Sequence, residues 1–305
     1  VAADQIVVLG TGGTIAGAGA PGQHVGYRAG QLGVEALVAA LPGMAGRVHA
    51  EQVAQLDSKD MDLSTWRTLA DRCRHWLADP TVAGLVVTHG TDTLEETAWF
   101  LHRMLDAARP VVLTCAMRPA TALVPDGPQN LADALAVARS PSARGVLAVC
   151  AGAVHAAADV RKVHPYRLDP FSSGDAGPVA YVEEGQVRSV RPWPDAVGPG
   201  VRLPDDPGAW PRVEIVHSHA GADGRLVDLL AADGVDAIVV AATGNATLHH
   251  ALEAALQRAE ARGVRIVLAT RCTEGRIVGT PHARWPSHPL SPTKARIDLL
   301  LECMG

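Results

Sequence analysis

Aromatic side chains are scarce in this chain. Six tryptophans, three tyrosines and two phenylalanines make up 4% of 305 residues, too few for the stacking platforms that hold nucleobases. No apolar run approaches the length that spans a bilayer. Neither sign of charge dominates. Twenty-seven Lys and Arg against 32 Asp and Glu leave −5 at pH 7, which points to neither nucleic acid nor a membrane surface. The cysteines Cys73, Cys115, Cys150, Cys272 and Cys303 are odd in number and none stands in a CxxC pair. Buried thiols in a reducing, cytoplasmic setting are expected. Val1–Gln5 leads straight into a strand and is not a signal peptide, although a leader removed earlier would leave a periplasmic location open. Also missing are a Gly-x-Ser-x-Gly elbow, internal repeats and low-complexity tracts.

What is present is an apolar fraction of 48%, ample for a sizeable core. At roughly 150 residues per domain the length predicts two domains. The most informative stretch is Leu85-Val86-Val87-Thr88-His89-Gly90-Thr91-Asp92-Thr93-Leu94-Glu95-Glu96-Thr97. Leu85–Val87 is an apolar, partly β-branched run and reads as a buried strand. Asp92 stands three residues before Glu95, ahead of Leu94, Ala98, Leu101 and Leu105 at helical spacing. That pattern predicts a capping box, with Asp92 opening a helix. Thr91 and Asp92 then lie where a strand ends and a helix begins, the place where open parallel sheets bind ligands.

Taken in order, Gln5–Leu9 predicts a first strand running into Gly10-Thr11-Gly12-Gly13-Thr14-Ile15-Ala16-Gly17. A dinucleotide fingerprint fails there because Ile15 stands where the third glycine belongs, and no Gly-Lys-Ser/Thr follows to make a phosphate loop. Residues 17–30 read as a glycine-rich surface loop able to close over a site. Tyr27 lies within it, and local sequence alone favours an anchoring role for that side chain. A helix is expected over Gln31–Leu41 and a strand over Val53–Leu56, followed by the polar cluster Asp57-Ser58-Lys59-Asp60 and a helix over Leu63–Leu77 capped by Asp62. Further strands are predicted at Arg109–Thr114 and Gly145–Cys150 around a helix over Gln129–Ala138. Strands alternating with helices argue for a mainly parallel α/β sheet. Gly152–Ser173 reads as a charged surface loop, and a hairpin is expected around Glu183-Glu184-Gly185.

Pro192–Pro211 holds six prolines and three glycines and predicts a linker over 191–211. It divides an N-terminal catalytic α/β domain, 1–190, from a smaller C-terminal α/β domain, 212–305. Strands are expected there at Val213–Val216, Ala237–Ala241 and Ile266–Ala269, with helices at Leu226–Ala232 and Leu248–Ala261. A last helix opens at Ser291-Pro292. Ser291-Pro292-Thr293-Lys294 matches S-x-x-K, but helix capping explains it. His217, His219, His249 and His250 lack other ligands at metal-site spacing, so neither a metal nor a cofactor is expected.

Thr11-Gly12-Gly13-Thr14-Ile15-Ala16 and His89-Gly90-Thr91-Asp92-Thr93 together resemble the two signatures of the bacterial L-asparaginases, a family that includes the glutaminase-asparaginases. Tyr27-Arg28-Ala29-Gly30, Ser58, Ala116-Met117-Arg118-Pro119, Asp126-Gly127-Pro128, Asp159-Val160-Arg161-Lys162 and Leu290-Ser291-Pro292-Thr293-Lys294-Ala295-Arg296 agree with it. The resemblance implies a larger N-terminal and a smaller C-terminal α/β domain, a homotetramer built from intimate dimers, and hydrolysis of L-asparagine to L-aspartate and ammonia. Side activity on glutamine or D-asparagine belongs to the same expectation. It implies Thr14 as nucleophile, Tyr27 as the residue that activates it, and Thr91, Asp92 and Lys162 as a second catalytic set. Ser58 and Asp92 match residues that hold the substrate's carboxylate and ammonium, and Ala116 one whose backbone lines the amide pocket. Gly13, Lys59 and Gly90 complete the expected substrate-binding positions.

The chemistry is consistent with those types. An amide is a poor electrophile with a poor leaving group, so its hydrolysis calls for an activated hydroxyl, a proton for the departing ammonia and donors facing the oxyanion. Lys59 departs from the family's usual glutamine, glutamate or small polar residue, and is expected to turn to solvent and pair with Asp60. Thr247 stands where asparagine is frequent. The segment 276–288 is shortened and offers no counterpart for the acid that some relatives lend across the dimer. Cys73 matches one partner of a disulfide of periplasmic relatives, whose second position falls near Ala107 or Ala108; that favours a cytoplasmic protein. Two other readings compete: the ammonia-generating subunit of a tRNA-dependent amidotransferase, and a non-catalytic amino-acid sensor using the same pocket.

Overall fold

A computed structural model describes residues 4–22, 25–43, 48–197, 201–279 and 284–305. Residues 23–24 of the predicted loop, 198–200 of the linker and 280–283 of the shortened segment lie outside the described residues. The chain divides into two compact units, Val1–Gly200 and Val201–Gly305.

In the first unit the elements run β1 (Gln5–Gly12), α1 (Val34–Ala39), β2 (Val48–Leu56), α2 (Leu63–Ala78), β3 (Val82–Thr88), α3 (Leu94–Met104), β4 (Val111–Thr114), α4 (Gly127–Arg139) and β5 (Val146–Cys150). β6 (Ala153–Ala156), β7 (Arg161–Lys162), β8 (Phe171–Ser172), β9 (Ala180–Glu183) and β10 (Gln186–Ser189) follow. Among the described residues, eight of these strands form one sheet in the order β10-β9-β6-β5-β4-β3-β1-β2, and β7 pairs with β8 apart from it. β2, β1, β3, β4 and β5 are parallel, whereas β6, β9 and β10 continue antiparallel.

Parallel strands covered on both faces read as continuous apolar runs, and β1, β3, β4 and β5 do so. Ile6, Val8, Val86, Val112, Leu147 and Val149 pack into one core with Val34 and Val38 of α1 and Leu131 and Leu135 of α4. Alternation sends Val7, Leu9, Leu85, Val87 and Leu113, all fully buried, to the opposite face. α2 lies against β2 and β3, and α3 against β5. Because β1 sits between β2 and β3, the connection from β1 to β2 and that from β3 to β4 run in opposite directions along the sheet. The crevice beyond the C-terminal ends of β1 and β3 is thus a topological switch point.

The expected surface loop over 152–173 is corrected in part. β6 lies inside the sheet, with Val154, His155 and Ala156 buried. It is reached through a two-residue turn, Ala151-Gly152, both at positive φ. A non-glycine there is uncommon; the Asn130 carboxamide supports it by accepting from the Ala151 N–H at 2.9 Å. The hairpin at Glu184-Gly185 forms as expected.

The second unit holds β11 (Val213–His217), α5 (Arg225–Ala232), β12 (Ala237–Ala242), α6 (His250–Glu260), β13 (Arg265–Thr270) and α7 (Pro292–Glu302). Its described strands form a parallel sheet, β11-β12-β13, whose central strand is buried throughout. Ser291 is the N-cap residue of α7, but its hydroxyl pairs with Thr293 Oγ1 and not with a helix N–H. No helix among the described residues is long and apolar enough to cross a membrane.

Candidate active site

Four parallel strands deliver the site. β1 ends in Gly12-Gly13 and passes into a single 3-10 turn that carries Thr14. β2 leads to Asp57 and Ser58, β3 to Thr91 and Asp92, and β4 to Ala116 and Met117. The first three loops meet without a gap. Gly13 has φ +80°, and a Cβ there would stand 2.4 Å from the Gly90 amide nitrogen. A Cβ on Gly90 would in turn stand 2.4 Å from Ser58 Oγ. These two glycines let two threonine-bearing turns close on each other. Hydrogen bonds fasten the junction. Gly13 N–H donates to Leu56 O at 2.8 Å, Thr93 Oγ1 donates to Ser58 O at 2.7 Å, and Ser58 Oγ accepts from the Asp92 N–H at 3.2 Å.

Thr14 is 9% exposed and Thr91 6%, so each hydroxyl is shielded yet reachable. Thr14 Oγ1 and Tyr27 Oη are 2.7 Å apart. The strand-like contact between Ala18 and Arg28 holds the base of the Tyr27 loop. Lys162, on β7, donates from Nζ to Thr91 Oγ1 at 2.8 Å and to Asp92 Oδ1 at 2.6 Å. Behind Thr91, wholly buried His89 donates from Nδ1 to Gly90 O at 2.7 Å, and its Nε2 faces Thr97 Oγ1 at 2.9 Å. Thr97 accepts from the Trp66 indole at 2.9 Å. Burial holds the His89 imidazole down at about 4, against an ordinary value of 6.5. Asp126 fixes the loop after β4, accepting from the Met117 and Arg118 N–H groups, each at 2.9 Å.

The capping box predicted at Asp92 does not form. The N-cap residue of α3 is Thr93, without a side-chain cap. Asp92 faces the Lys162 ammonium, and Glu95 accepts from the Lys162 backbone N–H at 2.5 Å. The ammonium brings Asp92 a full opposite charge where a helix N–H brings only a dipole.

A cavity of about 280 Å³ opens at this junction. Thr14, Tyr27, Ser58, Thr91, Asp92 and Lys162 line it. Gly13, Gly90 and Ala116 lie outside that lining; the two glycines are where the loops abut, and Ala116 is fully buried. Lys59 also stands outside it. It is 60% exposed and is held by Asp60 at 2.7 Å and Asp57 at 3.3 Å. Its hydrogen bond to Asp60 foremost, then that to Asp57, raises its ammonium above the usual lysine range. Val25, Gly26, Asp57, Met117, Pro165 and Tyr166 complete the lining and were not predicted. For Asp57 a signal existed, since it adjoins Ser58. Pro165 and Tyr166 had none, lying three and four residues past Lys162 in a segment without periodicity. Cys73 is a buried thiol, pushed up to about 12 by burial, and Ala107 is buried with no sulfur to offer it.

Fold and cavity define a two-unit α/β enzyme with paired hydroxyls at a switch point. The family model "Asparaginase, N-terminal" matches residues 5–194, and "Glutaminase/Asparaginase C-terminal domain" matches 212–303. The chain is 36% identical to L-asparaginase 2 of Bacillus subtilis, over 97% of this chain and 82% of that protein. It is 35% identical to the glutaminase-asparaginase of Pseudomonas fluorescens biotype A, over 96% and 84%. A crystal structure titled as a probable cytoplasmic L-asparaginase from Campylobacter jejuni superposes with a TM-score of 0.91 at 32% identity, covering 98% of this chain and 95% of that one. The chain belongs to the asparaginase family.

Proposed function

We propose that the chain hydrolyses the side-chain amide of L-asparagine to L-aspartate and ammonia, with L-glutamine as a second substrate. The observation that carries this reading is the meeting of two shielded hydroxyls in one cavity, Thr14 beside Tyr27 and Thr91 beside Lys162. Thr14 Oγ1 attacks the carboxamide carbon and its proton passes by way of Tyr27, the phenol at hydrogen-bond distance. The carbon–nitrogen bond breaks, the amide nitrogen takes a proton and leaves as ammonia, and the acyl group stays on Thr14 as an ester. Water then adds to the ester carbon while the Thr91–Lys162–Asp92 set moves its proton, the bond from that carbon to Thr14 Oγ1 breaks, and Oγ1 takes back a proton as aspartate is released. The substrate's carboxylate is drawn to the N-terminal end of α3 beside Thr91 and Ser58. Its ammonium is drawn to the carboxylates of the wall, Asp57 and Asp92. Both acids already face a lysine, Asp92 the Lys162 ammonium at 2.6 Å and Asp57 that of Lys59 at 3.3 Å. The Asp57 pair is the longer and its lysine the more exposed, so Asp57 is the acid more readily turned to that ammonium.

A reducing compartment fits this reading, because the Cys73 thiol has alanine where a bridge would need a second sulfur. The test is ammonia release from L-asparagine, L-glutamine and D-asparagine by the purified chain, beside Thr14→Ala and Thr91→Ala. Each variant is expected to keep its fold and lose about 10³-fold or more in kcat, as loss of a nucleophile or its proton-transfer partner does. Near-wild-type turnover in either variant overturns the division of roles.

A further inference from the structure

Lys162 reaches the cavity from a poor support. β7 is two residues long, and its only ladder partner among the described residues is the equally short β8. Yet the Nζ atom is placed to within hydrogen-bond distance of both Thr91 and Asp92. A two-residue ladder cannot fix a long, rotatable side chain with that accuracy. What it lacks is supplied by α3. Glu95 crosses 67 residues of sequence to accept from the Lys162 backbone N–H at 2.5 Å. The lysine is therefore gripped at both ends by one short stretch. Asp92 takes its ammonium and Glu95 takes its main chain, while both belong to the turn that carries Thr91.

We propose that Glu95 is a positioning residue, whose carboxylate fixes the backbone of Lys162 so that the ammonium meets Thr91 and Asp92 in register. This rests on the reading above in which Lys162 takes part in proton transfer. A helix-opening glutamate has an ordinary explanation too, since an acid in the first turn stabilises the helix by its charge. The two accounts differ in what they predict. A helix-dipole acid contributes to melting temperature and leaves the kinetics of a folded enzyme unchanged. A positioning residue acts on kcat, because a misplacement of about 1 Å in a reacting group costs up to about 10²-fold in rate.

The experiment compares Glu95→Ala and Glu95→Gln with wild type and with Lys162→Met, measuring kcat, KM, the pH profile of kcat and the melting temperature. Alanine is a strong helix former, so Glu95→Ala should fold, and it removes the acceptor. Its kcat should fall between about 10-fold and 100-fold with KM within about twofold, and its pH profile should move toward that of Lys162→Met. Glutamine keeps a carbonyl oxygen at nearly the same reach, so Glu95→Gln should recover most of the lost rate although the charge is gone. If Glu95→Ala keeps wild-type kcat and pH profile while Lys162→Met is strongly impaired, the positioning role is overturned and the role of Lys162 survives. Equal impairment of the alanine and glutamine variants also overturns it, because the acceptor would then not be what matters. Wild-type turnover in Lys162→Met would overturn the underlying mechanism itself.

Discussion

His89 ties the folding of the site to pH, and the size of the effect follows from its surroundings. The imidazole is 0% exposed. Gly90 O can only accept and the Trp66 indole can only donate, so the chain of bonds has one direction: indole to Thr97 hydroxyl, hydroxyl to Nε2, and Nδ1–H to the Gly90 carbonyl. That pattern is complete with a neutral ring. Charging the ring puts a cation where, among the described residues, no carboxylate is bonded to it, and burial accordingly lowers its pKa from 6.5 to about 4. In the unfolded chain the ring takes its proton near 6.5, while in the folded one it waits until about 4. Stability from this group is fully present above pH 6.5 and is lost as pH falls toward 4. At about 1.36 kcal/mol per pH unit the gap sets a limit of about 3 kcal/mol, of which about 2 kcal/mol is lost between pH 7.5 and 5. The perturbation is His89→Asn, which keeps a donor near Gly90 O and removes the titrating ring. Urea unfolding at pH 7.5 and at pH 5 should show wild type losing about 2 kcal/mol more than the variant. An NMR titration should find the ring still neutral at pH 5.5. Parallel pH slopes for the two proteins, or a ring that titrates near 6.5 in the folded state, would refute the reasoning.

Two further substitutions test the junction and the cavity wall. Gly13→Ala places a methyl 2.4 Å from the Gly90 amide nitrogen on a backbone at φ +80°, and both terms are unfavourable. About 3 kcal/mol of stability and at least about 10²-fold of turnover should be lost, read by thermal melting and ammonia release; an unchanged melt would show that the loops do not abut. Asp57→Asn should raise KM for asparagine about tenfold, or about 1.4 kcal/mol, with kcat within about twofold. The amide of succinic acid, which lacks the ammonium, should be affected much less. Equal effects on the two substrates would remove Asp57 from ammonium binding.

The parallel half of the sheet was legible because burial on two faces leaves a plain mark. Leu85–Val87, Val111–Leu113 and Val146–Val149 are apolar without interruption, and each proved a strand. β2 was only half legible, as Val53–Leu56, whereas the strand begins at Val48. Among the described residues it is an edge strand, partnered by β1 alone, and its first half carries polar work. Glu51 pairs with Arg72 and bonds the Trp76 indole, and Gln52 reaches Gly10 O and the Val34 N–H. β6 was missed for a different reason. Its turn places Ala151 at positive φ, a conformation that alanine does not advertise, and its support is the Asn130 carboxamide, 21 residues away. Tyr27 shows the same limit at the cavity. Its neighbours in sequence explain an anchor, and only the 2.7 Å approach to Thr14 gives it a chemical part.

The capping box shows where local reading must give way. Asp92-x-x-Glu95 has the spacing in which each side chain satisfies the other's free N–H, and in an isolated helix that arrangement would hold. Capping contributes about 1 kcal/mol. The competitor is a lysine 70 residues on, whose ammonium and main chain offer both carboxylates a partner. A carboxylate on a helix N–H is charged on one side only, whereas Asp92 and the Lys162 ammonium are charged on both, and leaving the Lys162 side chain, 17% exposed, beside Thr91 without a carboxylate would be more costly still. So the helix starts later, at Leu94, with an uncapped first turn. The weakness of the cap and the precision of the lysine have one cause. A substitution that restored the cap, by drawing Asp92 back to the helix, would release Lys162, so α3 should gain stability where the cavity loses its arrangement.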